Sequence, residues 1–311
     1  MVKVLIPSGA LGLGYDRAAL ARGIAQKPDI IAIDGGSTDS GPHYLGTGTS
    51  KYSRNSTKAE WRELMAARAE AGVPLVIGTA GTCGADDAVD WLVEITREIA
   101  AETGESLRLA VLKSGQDNQT MVAALRAGRI TPLPAAPEIS DTLLLECTNI
   151  VALAGAEQIQ EALNTGADII IAGRTTDTAI ISALPLARGC HAGGCWHGAK
   201  IGECGALATT SPNSGTIMIA FDAEGFTMTP MGAEARATPR TVSAHMLYEN
   251  SDPHILYEPG GHLDVRGATY TALNDREVRV TGSEWIVSDR YTVKLEGARR
   301  VGFQTVSLVL V

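Results

Sequence analysis

Ile30-Ile-Ala-Ile33-Asp34-Gly-Gly-Ser-Thr-Asp39-Ser-Gly-Pro-His43-Tyr-Leu-Gly-Thr-Gly48 joins a continuously apolar run to a loop that carries few core-forming side chains. An unbroken apolar run of this length suits a strand covered on both faces, as in a parallel sheet flanked by helices. Residues 34–48 contain five glycines, which free the backbone to approach a ligand or to take positive φ. Between them stand Asp34, Asp39, His43, Tyr44 and several hydroxyls. A surface connector is also glycine-rich and polar, so the weight falls on whether such loops recur.

They do, on a regular rhythm from Val2 to about Gly173. Val4-Leu-Ile-Pro7 leads through Gly9, Gly12 and Gly14 to a helix over 16–26. The loop 34–48 leads to a helix over 58–71, with Thr57 and Glu60 at capping-box spacing and Gly72 placed to end it. Leu75-Val-Ile77 precedes a helix over 87–102, where Trp91, Leu92, Ile95 and Ile99 recur at helical spacing. Residues 107–112 precede a helix over 116–127; Ile159, Ala162 and Leu163 mark one more helix, and Ile169-Ile-Ile171 one more strand. The fold class is therefore α/β, a mostly parallel layered sheet in the N-terminal part with an α+β C-terminal region.

The expected organisation is an α/β domain over residues 1–190, with a ligand crevice at the strand carboxyl ends, and an α+β region over 191–311 that completes the site. In the latter, 200–208 and 241–249 read as helices. Residues 216–221 and 226–230 read as paired strands, and 268–272 with 277–280 as a hairpin turning at Asn274-Asp275. It is read as a second domain or as an elaboration of the first sheet. Thr305-Val-Ser-Leu-Val-Leu-Val311 reads as a strand with no turn after it, and a further C-terminal segment is expected.

A chain of 311 residues with 45% hydrophobic content has enough apolar matter for real cores. A formal net charge of −9 argues against nucleic acid or an anionic membrane surface as partner. No apolar run approaches the roughly 18 residues of a membrane span, and the N-terminal Met1-Val-Lys-Val-Leu-Ile-Pro7 reads as a strand rather than a signal peptide. A cytoplasmic location is expected. Five cysteines in a chain of this length do not form a disulfide framework.

Open parallel sheets bind ligands beyond the carboxyl ends of their strands. Four strand ends carry reactive or polar side chains: Asp34 to Asp39, Gly78-Thr-Ala-Gly-Thr-Cys-Gly84, Lys113-Ser-Gly-Gln-Asp117 and Ala172-Gly-Arg-Thr-Thr-Asp177. Gly81, Thr82 and Gly84 precede a helix, where free N–H groups favour an anion, and Arg174 offers a bidentate contact. The competing readings are that Thr82 or Asp86 caps the helix, that Arg174 pairs with an acid, and that Asp177 is an N-cap. No phosphate loop is present, and Gly9, Gly12 and Gly14 have the wrong order for a dinucleotide fingerprint. Cys190, His191, Cys195, His197, Glu203 and Cys204 are dense in ligand types but lack paired structural-zinc spacing. Cys204 reads either as a buried apolar cysteine or as a nucleophile with His197 or His245 as base.

Pro7-Ser-Gly-Ala-Leu-Gly12, Asp34-Gly-Gly-Ser-Thr-Asp39 with Gly41-Pro42 and Tyr44-Leu-Gly46, Asp90-Trp91, Ala172-Gly-Arg-Thr-Thr-Asp-Thr-Ala179, Glu203-Cys-Gly-Ala-Leu207, Leu247-Tyr-Glu-Asn250, Glu258-Pro-Gly-Gly261 and Tyr291-Thr-Val-Lys-Leu-Glu-Gly-Ala298 together resemble the acyclic terpene utilisation family named after AtuA. The resemblance runs essentially from end to end. It implies a place in the degradation of branched acyl-CoA esters, a lyase or hydratase role, and a small companion protein or domain.

The expected activity is addition or removal of water, or carbon–carbon cleavage, next to a carboxylate or thioester carbonyl. Such chemistry needs an acid, a base and donors for an enolate-like oxygen. The candidate catalytic residues are Asp39, His43, Glu203, Asp34 and Glu258. The candidate substrate-binding residues are Ser37, Thr38, Gly81, Thr82, Gly84, Arg174, Thr175, Asp177 and Lys294. Partners are a small carboxylate or acyl-CoA, with CoA as a substrate moiety, a companion subunit, and further copies of the chain in a homo-oligomer. No required cofactor is assigned, and a divalent metal is the one considered. The alternatives are a hydrolase using a divalent metal at Asp34, His43, His197 and Glu203, and a non-catalytic ligand-binding subunit.

Overall fold

The computed structural model describes residues 1–36, 40, 42–134 and 136–302. Asp39, Ser37 and Thr38, and the expected strand over 305–311, lie outside the described residues. The strands are β1 (Val2–Ile6), β2 (Ile30–Asp34), β3 (Leu75–Gly78), β4 (Leu109–Leu112), β5 (Asn149–Ala152), β6 (Ile169–Ala172) and β7 (Ile217–Phe221). They continue as β8 (Gly225–Pro230), β9 (Ile255–Glu258), β10 (Gly261–Asp264), β11 (Thr269–Ala272), β12 (Val278–Thr281), β13 (Glu284–Val287) and β14 (Leu295–Ala298).

Nine strands form one sheet in the order β11-β12-β8-β7-β1-β2-β3-β6-β4. The pairs from β1 through β2, β3 and β6 to β4 are parallel, and those from β1 through β7, β8 and β12 to β11 are antiparallel. The C-terminal strands therefore extend the first sheet. Two smaller sheets, β13-β10-β9 and β14-β5, flank it.

Alternate side chains feed two cores. Val4, Ile6, Ile30, Ala32, Val76 and Ile170 join the helices Ala156–Asn164, Ala179–Ala187 and Ala192–Gly202 on one face. Leu5, Ile31, Ile33, Leu75, Ile77 and Ile171 join Arg17–Ala25, Arg54–Ala71 and Asp86–Thr103 on the other. Each of these Val, Leu and Ile side chains, fully buried, is worth about 1.5–3 kcal/mol of transfer free energy. This is the two-faced burial that an unbroken apolar run demands.

Several expected bounds shift for local reasons. The helix expected over 58–71 begins at Arg54, because Ser53 accepts from the Ser56 N–H as its N-cap; Glu60 instead accepts from the Gly12 N–H at 2.8 Å. Gly72 ends that helix at φ 67, as expected. The helix expected over 200–208 is Ala192–Gly202, followed by a 3-10 turn at Gly205–Ala208. Gly198 lies in its middle and Gly202 at its last position because the helix packs close to the sheet: an added Cβ would meet Phe221 at Gly198 and Ile219 at Gly202. The stretch 241–249 divides into Pro239–Ala244 and a 3-10 turn at His245–Leu247. A short helix, His43–Thr47, also interrupts the quoted loop.

Candidate active site

The loops after β1, β2, β3, β4 and β6 meet at one end of the sheet, locked by backbone contacts. Thr79 donates its N–H to the Gly173 carbonyl at 2.8 Å and Ala80 to Ala172 at 3.0 Å. Ser114 accepts from the Arg174 N–H at 2.6 Å and donates to the Gly84 carbonyl at 3.2 Å. At Gly84, φ is 64°, and a Cβ would overlap the Arg174 backbone nitrogen, so only glycine fits there.

A cleft of about 780 Å³ opens beside this knot, nearer β1 and β2 than β3 and β4. Ser8, Gly9, Asp34, Gly36, Asp177, Glu203 and Cys204 line it, with Lys51, Tyr52, Asn213 and Glu249 also on its walls. Lys51 is the one Lys or Arg among the described lining residues. It was not singled out in the sequence, where a lysine seventeen residues past Asp34 carries no motif.

Asp34 ends β2 with 6% of its surface exposed, and its Oδ1 accepts from the Gly35 N–H at 2.7 Å. Burial, then the charge of Asp177, push its carboxyl well above the usual range against the lowering effect of Arg174 and the backbone N–H groups. Asp177 precedes the helix Ala179–Ala187, whose N-cap is Thr178, and it pairs with Arg174 at 3.1 Å. Glu203 and Lys200 form a buried ion pair at the end of the helix Ala192–Gly202. Burial pushes Glu203 up to about 8, Asp177 and Glu258 add to the rise, and Lys200 opposes it. Glu258, at the end of β9, accepts from the Thr178 hydroxyl at 2.5 Å. Its other oxygen, Oε2, is buried with no hydrogen-bond partner among the described residues, and burial pushes the group up to about 7.

Glu258 and the other expected residues among those described lie outside the cleft lining. Arg174 is buried and committed: Nε meets Glu296 at 3.0 Å, while Nη1 reaches Thr79 Oγ1 at 3.2 Å and Asp177 at 3.1 Å. Thr175 is fully buried below the cleft. Thr82 takes φ 77° and accepts from the Lys51 N–H at 3.0 Å; with Gly81 and Gly84 it forms a supporting turn outside the cleft lining. The helix after that turn is capped by Ala85 without a side-chain bond. His43 is exposed at the start of its short helix, and Lys294 pairs with Glu296 at 2.8 Å. His197 is buried among Ser283 (2.7 Å), Tyr270 (3.1 Å) and Phe226. Asp34, His43, His197 and Glu203 therefore do not gather as a ligand set. Cys204 lies beside Glu203 and His245, and burial pushes its thiol up rather than toward the thiolate.

The fold and site define an α/β protein with an acidic, glycine-bordered cleft at the carboxyl ends of its parallel strands. Residues 47–191 match the family described as acyclic terpene utilisation family protein AtuA, and the chain is AtuA-like across that stretch. Thr82, Arg174 and Asp177 fall inside the match, whereas Asp34, Glu203, Cys204, His245 and Glu258 fall outside it. No curated protein and no solved structure matches the chain. No helix among the described residues is long and apolar enough to cross a membrane.

Proposed function

We propose that the protein is a lyase or hydratase acting on a short or branched carboxylic acid, or its CoA thioester, by acid–base chemistry in this cleft. The observation that carries the reading is the pairing of Asp34 with Asp177. Both line the cleft, and the buried Asp34 carboxyl is held toward its protonated form beside the more exposed, Arg174-paired Asp177. Two neighbouring carboxyl groups whose environments differ in this way divide into an acid and a base.

In this reading Asp177 accepts the proton from the carbon next to the carbonyl, and Asp34 delivers a proton to the departing hydroxyl. Water leaves and a double bond conjugated to the carbonyl forms; hydration is the reverse. Lys51 meets the substrate's carboxylate, the role expected of Arg174 in the sequence. An anion is tolerated in so acidic a cleft because Asp34 tends to retain its proton and Lys200 offsets the charge of Glu203.

The test is a thermal-shift screen of short branched acids and their CoA thioesters, since a ligand that binds the native state raises its melting temperature. The ligands found are then assayed for conjugated-double-bond absorbance. Asp34→Asn and Asp177→Asn should each lower turnover by about 10²–10⁴-fold while keeping the fold. Folded variants with wild-type turnover would remove the proposal.

A further inference from the structure

His245 lies at the start of the 3-10 turn His245–Leu247 with 5% of its surface exposed. Tyr248 stacks on its ring at 5.6 Å and 18°, fixing the ring plane. Its Nε2 is buried and has no hydrogen-bond partner among the described residues. An imidazole nitrogen left dry in this way loses its hydration with no hydrogen bond in return, so its environment calls for a ligand. Glu203 and Cys204 face it: one ligand atom from each of Glu203, Cys204 and His245 lies within 4.8 Å of the other two. Among the described residues this is the one set of three or more His, Cys, Asp and Glu that comes so close.

We propose that Glu203, Cys204 and His245 form a three-ligand site for a zinc-type divalent transition metal, with its fourth position open to the cleft. Thiolate with imidazole excludes the hard cations magnesium and calcium and selects zinc or its neighbours. Three protein ligands and one vacant position are the pattern of a catalytic rather than a structural zinc. Ligand atoms on tetrahedral zinc stand about 3.5 Å apart, so small side-chain rotations close the set. Glu203 and Cys204 line the cleft while His245 does not, which puts the exchangeable position on the substrate's side.

The surroundings match what metal ligands need behind them. Lys200 Nζ binds Glu203 Oε1, leaving Oε2 for the ion, and a Lys200 backbone group hydrogen-bonds the His245 ring. Such outer contacts orient a ligating carboxylate and imidazole. Cys204 is fixed from the other side, its backbone 3.1 Å from where a Cβ on Gly9 would sit. The site goes beyond the Asp34–Asp177 reading and uses neither residue; an ion here would polarise a carbonyl held in the same cleft.

The experiment is metal analysis of the purified full chain, followed by chelation and titration with Co2+ alone. One zinc-type ion per chain and a thiolate-to-cobalt absorption band in the near ultraviolet are expected. Cys204→Ser should remove the band and His245→Gln should weaken binding, while Cys195→Ser, buried elsewhere, should leave both intact. Circular dichroism establishes that each variant is folded; if His245→Gln is not, the near-isosteric Cys204→Ser decides. Absence of the band in wild-type protein, or an unchanged band in Cys204→Ser, would overturn the site. Either result leaves the turnover of Asp34→Asn and Asp177→Asn as a separate measurement.

Discussion

The Thr178 hydroxyl donates to Glu258 Oε1 at 2.5 Å, tying the first turn of the helix Ala179–Ala187 to the last residue of β9. The bond brings a carboxyl from the C-terminal sheet to the end of the parallel sheet, where burial holds it near neutrality.

A pH dependence follows from that placement. Glu258 is pushed up from 4.5 to about 7, so the native state binds the extra proton between those values and stability falls as pH rises through that window. The stabilisation is fully present below pH about 4.5 and lost above about 7. Glu258→Gln should flatten this slope, by about 1–3 kcal/mol across the window. Urea denaturation at several pH values measures it, and an unchanged slope in the variant would refute the assignment.

The buried guanidinium predicts a second effect. Arg174 neutralises Glu296 and Asp177 and, with its backbone N–H, binds Ser114. Removing one partner of a buried charge network leaves the others uncompensated, which costs about 3–5 kcal/mol. Arg174→Met should therefore lower the urea midpoint sharply. A cost below about 1 kcal/mol would mean the network is solvated.

Lys51→Ala should separate binding from folding. Its side chain is exposed at the cleft, so stability should change by no more than about 0.5 kcal/mol. Affinity for a carboxylate ligand should fall about 10- to 100-fold, the worth of one charge-assisted hydrogen bond. Calorimetry on the best acid from the screen reads this, and unchanged affinity would return the carboxylate to another group.

Gly84→Ala should be far more disruptive than its size suggests. Its φ of 64° and the adjacent Arg174 backbone leave no room for a methyl. A loss of about 2–3 kcal/mol, read by thermal melting, is expected. Gly104→Ala, at φ 70° but with nothing within 4 Å, should cost less and so isolates the overlap from the backbone strain.

The parallel core was legible because β2, β3 and β6 are apolar on both faces and each ends in a glycine-rich turn. β5 was missed: Asn149–Ala152 is short and gains its partner only when β14 arrives from 143 residues later, Leu295 opposite Ala152. The three-stranded sheet of β9, β10 and β13 was missed for another reason: its strands are close in sequence, but Tyr257, Ile286 and Val287 are exposed and lack an alternating pattern. In the site, Asp34, Asp177 and Glu203 were legible from motif and strand-end position. Their differing environments were not, because burial and charge neighbours are tertiary quantities. Arg174 shows the converse: a cation at a strand end looks like an anion grip until Glu296 is seen to occupy it.

The pairing of β7 with β1, from Val2 opposite Phe221 to Ile6 opposite Ile217, makes β1 an interior strand. A fragment ending near residue 190 would leave that apolar strand as an open edge, with unsatisfied N–H and C=O groups ready to template another chain. The second half of the sequence thus acts as a built-in guard against self-association while it delivers Glu203 and Cys204 to the cleft.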